Sequence, residues 1–292
     1  MDKENILVVR KKSKFEWDLE RLGKTKEKLK KKYKTQDINL KEIFESHKRQ
    51  MLSFKILQKY FNQNQFLFRE HLDEINIKDY DLIISLGGDN HFQYITHYLK
   101  DTPILGINSD PKTSRGELLY YTTSNFKDIL NKIENDKFNL EKWTRLKGKV
   151  NGNKMPLAIS DFFLGESKRK HISHHKLQFK GKKEKQKCSG LLVATGAGST
   201  GWYDSASRYL ENEKIKLKRT ENIAKFIVTE PNGTDYSLLK GTLRMGDKLK
   251  ITSLNDRNGV MVCDSFEERE FNLCSKATVE ISDKPLKVVS LD

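Results

Sequence analysis

Apolar positions change texture partway along the chain, and the change divides it into two kinds of structure. Residues 5–9, NILVV, form a short β-branched run that predicts a first strand, with polar turn material after it over 10–13. Residues 15–33 are helical in composition and very basic. From 40 to 61 apolar side chains recur at Leu40, Ile43, Phe44, Met51, Phe54, Leu57 and Phe61, the spacing of one face of an amphipathic helix. Residues 81–86, DLIISL, are continuously apolar and end at Gly87-Gly88, which predicts a parallel strand buried on both faces. A helix over 92–100 and a second buried strand over 103–107 complete a β-turn-α-β unit. A right-handed crossover then puts the Gly-Gly turn at the carboxyl edge of the sheet, where open α/β folds bind ligands.

After a helix near 124–136, short β-type segments take over at 157–164, 176–179, 190–195, 225–229, 248–252, 260–263 and 277–281. The Gly and Asn turns between them predict an all-β, sandwich-like part beginning near Trp143. The expected fold class is α/β, with an N-terminal Rossmann-like parallel-sheet domain over 1–142 and a C-terminal β-rich domain over 143–283.

Composition adds charge to this picture. Lys and Arg number 55 against 40 Asp and Glu, a formal net charge of +15. That excess suits phosphate-bearing partners of any kind, nucleotide, nucleic acid or anionic lipid, without choosing among them. Much of it lies in lysine runs at 30–32 and 180–187, which read equally well as solvated faces. No RNP aromatic pattern, zinc finger or basic zipper accompanies the charge, so no specific nucleic-acid partner is expected. No run approaches the ~20 apolar residues of a membrane helix, and residues 1–10 resemble neither a signal peptide nor a presequence. The expectation is a cytoplasmic protein with no membrane partner. Cys188, Cys263 and Cys274 are odd in number and lack CxxC spacing or paired histidines, so they read as plain thiols.

Two segments carry candidate chemistry. Gly87-Gly88-Asp89-Asn90 leaves the strand with two glycines that let backbone N–H groups approach a phosphate, beside a carboxylate able to accept a proton from an attacking hydroxyl. The same residues also suit an ordinary tight turn. Residues 195–203, TGAGSTGWY, offer hydroxyls at Ser199 and Thr200 and an adenine-sized apolar face at Trp202 or Tyr203. The alternative is a Gly-rich turn opening a helix with a buried Trp.

Together the two segments resemble the NAD kinase family, in which a GGDGT loop in an α/β domain faces a GSTAY-type segment in a β-rich domain. Here they stand as Gly87-Gly88-Asp89-Asn90-His91 and Gly198-Ser199-Thr200-Gly201-Trp202. The mitochondrial-type branch is the closer likeness. It is carried by Asn108-Ser109-Asp110-Pro111 with Gly116 beyond, by Phe163-Leu164-Gly165-Glu166-Ser167, and by Lys185-Gln186-Lys187-Cys188-Ser189-Gly190-Leu191. The likeness runs over most of residues 5–205 and thins afterwards, where Val262-Cys263-Asp264-Ser265 stands at the place of a late Asp-Gly turn.

The resemblance implies that ATP, or polyphosphate, with a divalent metal such as Mg²⁺, phosphorylates the 2′-hydroxyl of the adenosine ribose of NAD. Asp89 is then the base, and the Gly87-Gly88 backbone with Mg²⁺ holds the donor phosphates. Asn90 and His91 complete the donor loop. Ser160 and Asp161 match the family's Asn-Glu/Asp pair on the dinucleotide. Thr200, Gly201 and Trp202 match the adenine-contacting segment, with Ser199 and Ser205 beside them. Lys187 either neutralises a phosphate or is solvated. No protein metal ligands are assigned. Residues 284–292 are expected to return to the first domain, the site to lie in a cleft between domains, and the chain to form a homodimer or higher homo-oligomer.

Departures accompany the likeness. Asn90-His91 replaces Gly-Thr, so a glycine and a hydroxyl are lost; Asn tolerates the left-handed backbone that such a turn can need, and His91 reads as a replacement donor, as the mark of a changed phosphate donor or lost activity, or as an uninvolved residue at a helix start. Ser160 replaces an amide that could both donate and accept. A catalytically weakened NAD or NADP sensor, a related lipid or sugar kinase and a non-specific nucleic-acid binder stay open as other readings.

Overall fold

The computed structural model describes residues 1–22, 25–36, 38–168, 170–208, 217–233 and 235–291, and the chain divides into two compact units. The first spans Met1–Leu140 with the segment from Lys287 onward, and the second spans Glu141–Leu286.

The first unit is built on a parallel sheet. β1 (Ile6–Arg10) lies between β2 (Phe66–Phe68) and β3 (Leu82–Gly87), and β3 pairs with β4 (Ile104–Asn108), all parallel. β5 (Tyr121–Thr122) and the chain's last strand, Leu286–Ser290, both pair with β4 in parallel. Continuous apolar sequence at β1, β3 and β4 matches strands buried along their whole length. Ile6, Val8, Leu82, Ile84, Leu105 and Ile107 pack with Leu57 of α3 (Leu40–Leu57) and Phe126, Ile129 and Ile133 of α5 (Phe126–Glu134). Each such side chain contributes about 1.5–3 kcal/mol through burial. The basic stretch read as helical forms α1 (Lys14–Leu22) and α2 (Lys26–Thr35), with residues 23 and 24 outside the described set. Thr25 caps α2 by accepting from the Lys28 N–H, and Phe15, Leu29 and Tyr33 join the two helices. α4 (Asp89–Thr96) follows β3 directly. β6 (Asn139–Trp143) carries the chain out of this unit.

The second unit contains two antiparallel sheets. One has the order β11-β10-β15-β18-β7-β8, formed by β7 (Leu146–Val150), β8 (Asn153–Lys154), β10 (Ser173–Phe179), β11 (Lys182–Cys188), β15 (Lys248–Ser253) and β18 (Lys276–Ile281). The other has the order β14-β13-β12-β9-β16-β17. It comprises β9 (Asp161–Glu166), β12 (Gly190–Ala194), β13 (Ile223–Thr229), β14 (Lys240–Arg244), β16 (Gly259–Cys263) and β17 (Glu267–Glu270). Leu177, Leu249, Ile251, Val279 and Ile281 of the first sheet share one core with Phe162, Leu164, Leu191, Phe226 and Met261 of the second. This is a sandwich, as alternating burial along strands such as β10 requires. β19 (Leu286–Ser290) then leads back to the first unit.

The lysine run at 180–187 is an edge strand as well as a solvated surface. Lys183, Lys185 and Lys187 are exposed while Gln186 turns inward, and the charges discourage a further strand from adding to that edge. Cys188 and Cys263 are buried thiols and Cys274 is an exposed one. Among the described residues no helix is long and apolar enough to cross a membrane.

Candidate functional site

In the first unit, β3 delivers the chain into Gly87 and Gly88 at its carboxyl end, and α4 starts at once with Asp89. Gly88 is the N-cap, in extended conformation, and its Cα faces Ser114 Oγ. The half-buried Asp89 accepts the Leu118 N–H at Oδ1 (2.8 Å) and the Glu117 N–H at Oδ2 (3.1 Å). Each carboxylate oxygen keeps a second lone pair for another proton or ion. Asn90 lies within the helix and is exposed, so the turn needs no left-handed backbone at that position.

His91 does not offer a donor on the turn. It is 1% exposed and lies beneath it, with its ring against Gly87. Burial pushes its pKa down to about 3, and the neutral ring donates Nε2–H to the Val9 carbonyl at 3.0 Å. Its Nδ1 is buried without a partner. A Cβ on Gly87 would come within 2.4 Å of His91 Cδ2, and the pinned ring has no room to withdraw. Gly87→Ala is therefore expected to cost about 2 kcal/mol. A melting curve checks this, and a Gly87→Ala/His91→Ala double variant should lose less than the sum of the single losses.

In the second unit, β9 and β12 pair so that Asp161 lies opposite Ala194, and the loop after β12 folds back over residues 159–161. Thr195 Oγ1 donates to the Ile159 carbonyl (2.5 Å) and accepts from the Ala197 and Gly198 N–H groups. A Cβ on Gly198 would stand 2.3 Å from the Ser160 carbonyl oxygen, so only glycine permits this approach. The Ser160-Asp161 pair and the Gly198-Ser199-Thr200 segment are thus brought together. Ser199 is buried and donates to the Gly196 carbonyl at 2.8 Å, whereas Thr200 and Gly201 are exposed.

Asp264 organises this corner from below. Its carboxylate accepts the N–H groups of Ile159, Ser160 and Asp161 at 2.8, 2.8 and 2.9 Å, and its own N–H donates to the Asp161 carbonyl. Burial, reinforced by the neighbouring Asp264 charge, pushes the Asp161 pKa up to about 7. A folded-state pKa above the ordinary 3.8 means this group's contribution to stability is complete below about pH 4 and is lost as pH rises through 7. Asp161→Asn removes that loss. Its stability relative to the parent should rise between pH 4 and 7, on the order of a few kcal/mol, and stay level above. Denaturant titrations at pH 5 and pH 8 read the difference.

Trp202 opens α6 (Trp202–Ser207) and stacks on Phe163, with centroids 4.9 Å apart and planes 27° apart. Phe163 lies flat on the sheet because Gly165 and Gly190, paired across β9 and β12, leave no side chain in its way. The stack walls a cavity of about 650 Å³ that is also lined by Glu166, Ser189, Ser205 and Glu230. That volume suits a nucleotide-sized ligand. Lys187 is exposed on β11 and is not part of the cavity wall.

No family model matches the chain. Sequence comparison finds a probable NADH kinase of Oryza sativa subsp. japonica, 27% identical over 210 residues and covering 63% of each chain. An NAD kinase of Archaeoglobus fulgidus is 33% identical over 145 residues, covering 48% of this chain and 54% of that one. NAD kinase 2, mitochondrial, of Rattus norvegicus is 26% identical over 186 residues, covering 48% and 44%. The match thus spans less than two thirds of the rice protein and about half of the others. The fold is shared with a solved NAD kinase from Archaeoglobus fulgidus in complex with ATP, at TM-score 0.64 and 19% identity over 98% of this chain and 94% of that one. It is also shared with yeast NADH kinase complexed with NADH, at TM-score 0.67 and 14% identity over 99% and 84%. The chain is similar in sequence to NAD kinases and shares their fold. Within that relationship the matches spread over plant, archaeal and mammalian mitochondrial proteins and single out no branch.

Sequence reading alone missed Asp264 as the organiser of the Ser160-Asp161 corner, and missed Glu166, Ser189 and Glu230 as cavity wall. One signal was available. Two glycines inside apolar strands, at 165 and 190, mark a place where a ring approaches the sheet closely.

Proposed function

We propose that the chain transfers the terminal phosphoryl group of ATP to the 2′-hydroxyl of the adenosine ribose of NAD, giving NADP and ADP. The observation that carries this reading is Asp89 itself, a carboxylate at the head of a helix, fixed by two main-chain amides and directly after a Gly-Gly turn. The names of the relatives and the fold shared with kinases solved with ATP and with NADH support it. In the proposed step Asp89 accepts the hydroxyl proton as the ribose oxygen bonds to the γ-phosphorus and the bond to ADP breaks. Gly87 and Gly88 leave the donor phosphates free to approach the main chain.

Mg²⁺ fits a turn that offers one carboxylate, because that ion is commonly held by one or two carboxylates with substrate phosphates and water. Asp89 would hold it with the donor phosphates, and the ion would neutralise their charge. Ser160, Asp161 and the 198–200 segment would seat the dinucleotide, with Trp202 as a base platform. The reading extends to a homodimer and a cytoplasmic location, which light scattering and imaging of a tagged chain test. Purified protein given NAD, ATP and Mg²⁺ should form a product phosphorylated at the adenosine 2′-oxygen. No dinucleotide phosphorylation from ATP or polyphosphate would overturn the proposal.

A further inference from the structure

The cavity beside Trp202 carries more acid than a base platform needs. Glu166 ends β9 at 9% exposed, and its Oε1 is buried without a hydrogen-bond partner. Glu230, on the same wall, accepts from Ser189 Oγ and is held at φ 47°, directly before Pro231. A left-handed conformation is costly for a residue with a side chain and persists only where its surroundings enforce it. Trp202, which lines the same cavity, remains 44% exposed and is backed by Phe163, so a face of its ring is free to receive a flat partner. A buried acceptor without a donor is unfavourable by itself, and an N–H group is what would satisfy it.

We infer that this cavity binds a heteroaromatic ring bearing an NH₂ group, stacked on Trp202, and that Glu166 selects the ring by accepting that group's hydrogen bond. The ligand class rests on the dinucleotide reading above, but the selection does not depend on catalysis. NAD carries such a group at both ends, on the nicotinamide carboxamide and on the adenine. Nothing else in NAD combines a flat ring with a paired N–H donor, and a glutamate carboxylate can only accept.

Two analogues separate the ends. Nicotinic acid adenine dinucleotide replaces the carboxamide with a carboxylate, and nicotinamide hypoxanthine dinucleotide replaces the adenine amino group with an oxo group. Calorimetric dissociation constants for NAD and both analogues are measured on the parent protein and on Glu166→Gln. The parent should bind one analogue about 100-fold more weakly than NAD, because a site that hydrogen-bonds an N–H strongly rejects the analogue lacking it. In Glu166→Gln that ratio should fall below about 10. The weakly bound analogue identifies the end that enters the cavity. Binding of both analogues within threefold of NAD by the parent protein alone overturns the inference, whether or not the variant folds. So does a ratio left unchanged in a folded Glu166→Gln. Preserved discrimination without phosphoryl transfer would instead count against the kinase reading while this inference stood.

Discussion

Asp264→Ala should lower stability by about 4 kcal/mol and abolish dinucleotide binding at concentrations that saturate the parent protein. Asp264 is 2% exposed, and its two oxygens take three main-chain N–H bonds from residues 159–161. Removing the carboxylate leaves those amides buried and unpaired, each at a cost of about 1–3 kcal/mol, partly relieved by entering water. The affected segment is the one on which Gly198 rests, so the loop loses its support as the strand end loosens. Chemical denaturation measures the first effect and calorimetry with NAD the second. A loss under 1 kcal/mol would show that the three bonds do not organise the corner.

Asp89→Asn should reduce phosphoryl transfer by about a thousandfold, within the range that general-base catalysis contributes, while the fold and NAD binding survive. The asparagine oxygen can keep the 2.8 Å bond from the Leu118 N–H. Its amide nitrogen opposes the Glu117 N–H, but that contact is solvent-exposed and water can replace it. The expected stability change is therefore about 1 kcal/mol. Removing the proton acceptor while sparing the structure separates a chemical role from a supporting one.

How much of this was legible depended on which way side chains face. Strands β1, β3, β4 and β12 are continuous apolar runs, and their burial follows from the sequence. The charged strands β11 and β17 did not read as strands, because edge positions with solvated side chains lack the alternating pattern. Glycines at 87 and 88 marked a turn beside a carboxylate. Composition could not show that the His91 ring turns inward to the Val9 carbonyl, since the same residue at a helix start could equally face a ligand. Asp264 read only as part of a turn. Its three bonds span about a hundred residues of sequence and arise from the pairing of β9 with β16.

The most direct measurement is single-turnover transfer of phosphate from ATP to NAD, run on the parent protein and Asp89→Asn at matched dinucleotide occupancy. The parent should form NADP in one exponential phase, and the variant, with its NAD affinity within a fewfold of the parent's, should form it about a thousandfold more slowly. Equal rates in the two proteins would remove Asp89 from the chemistry, and with it the proposed mechanism.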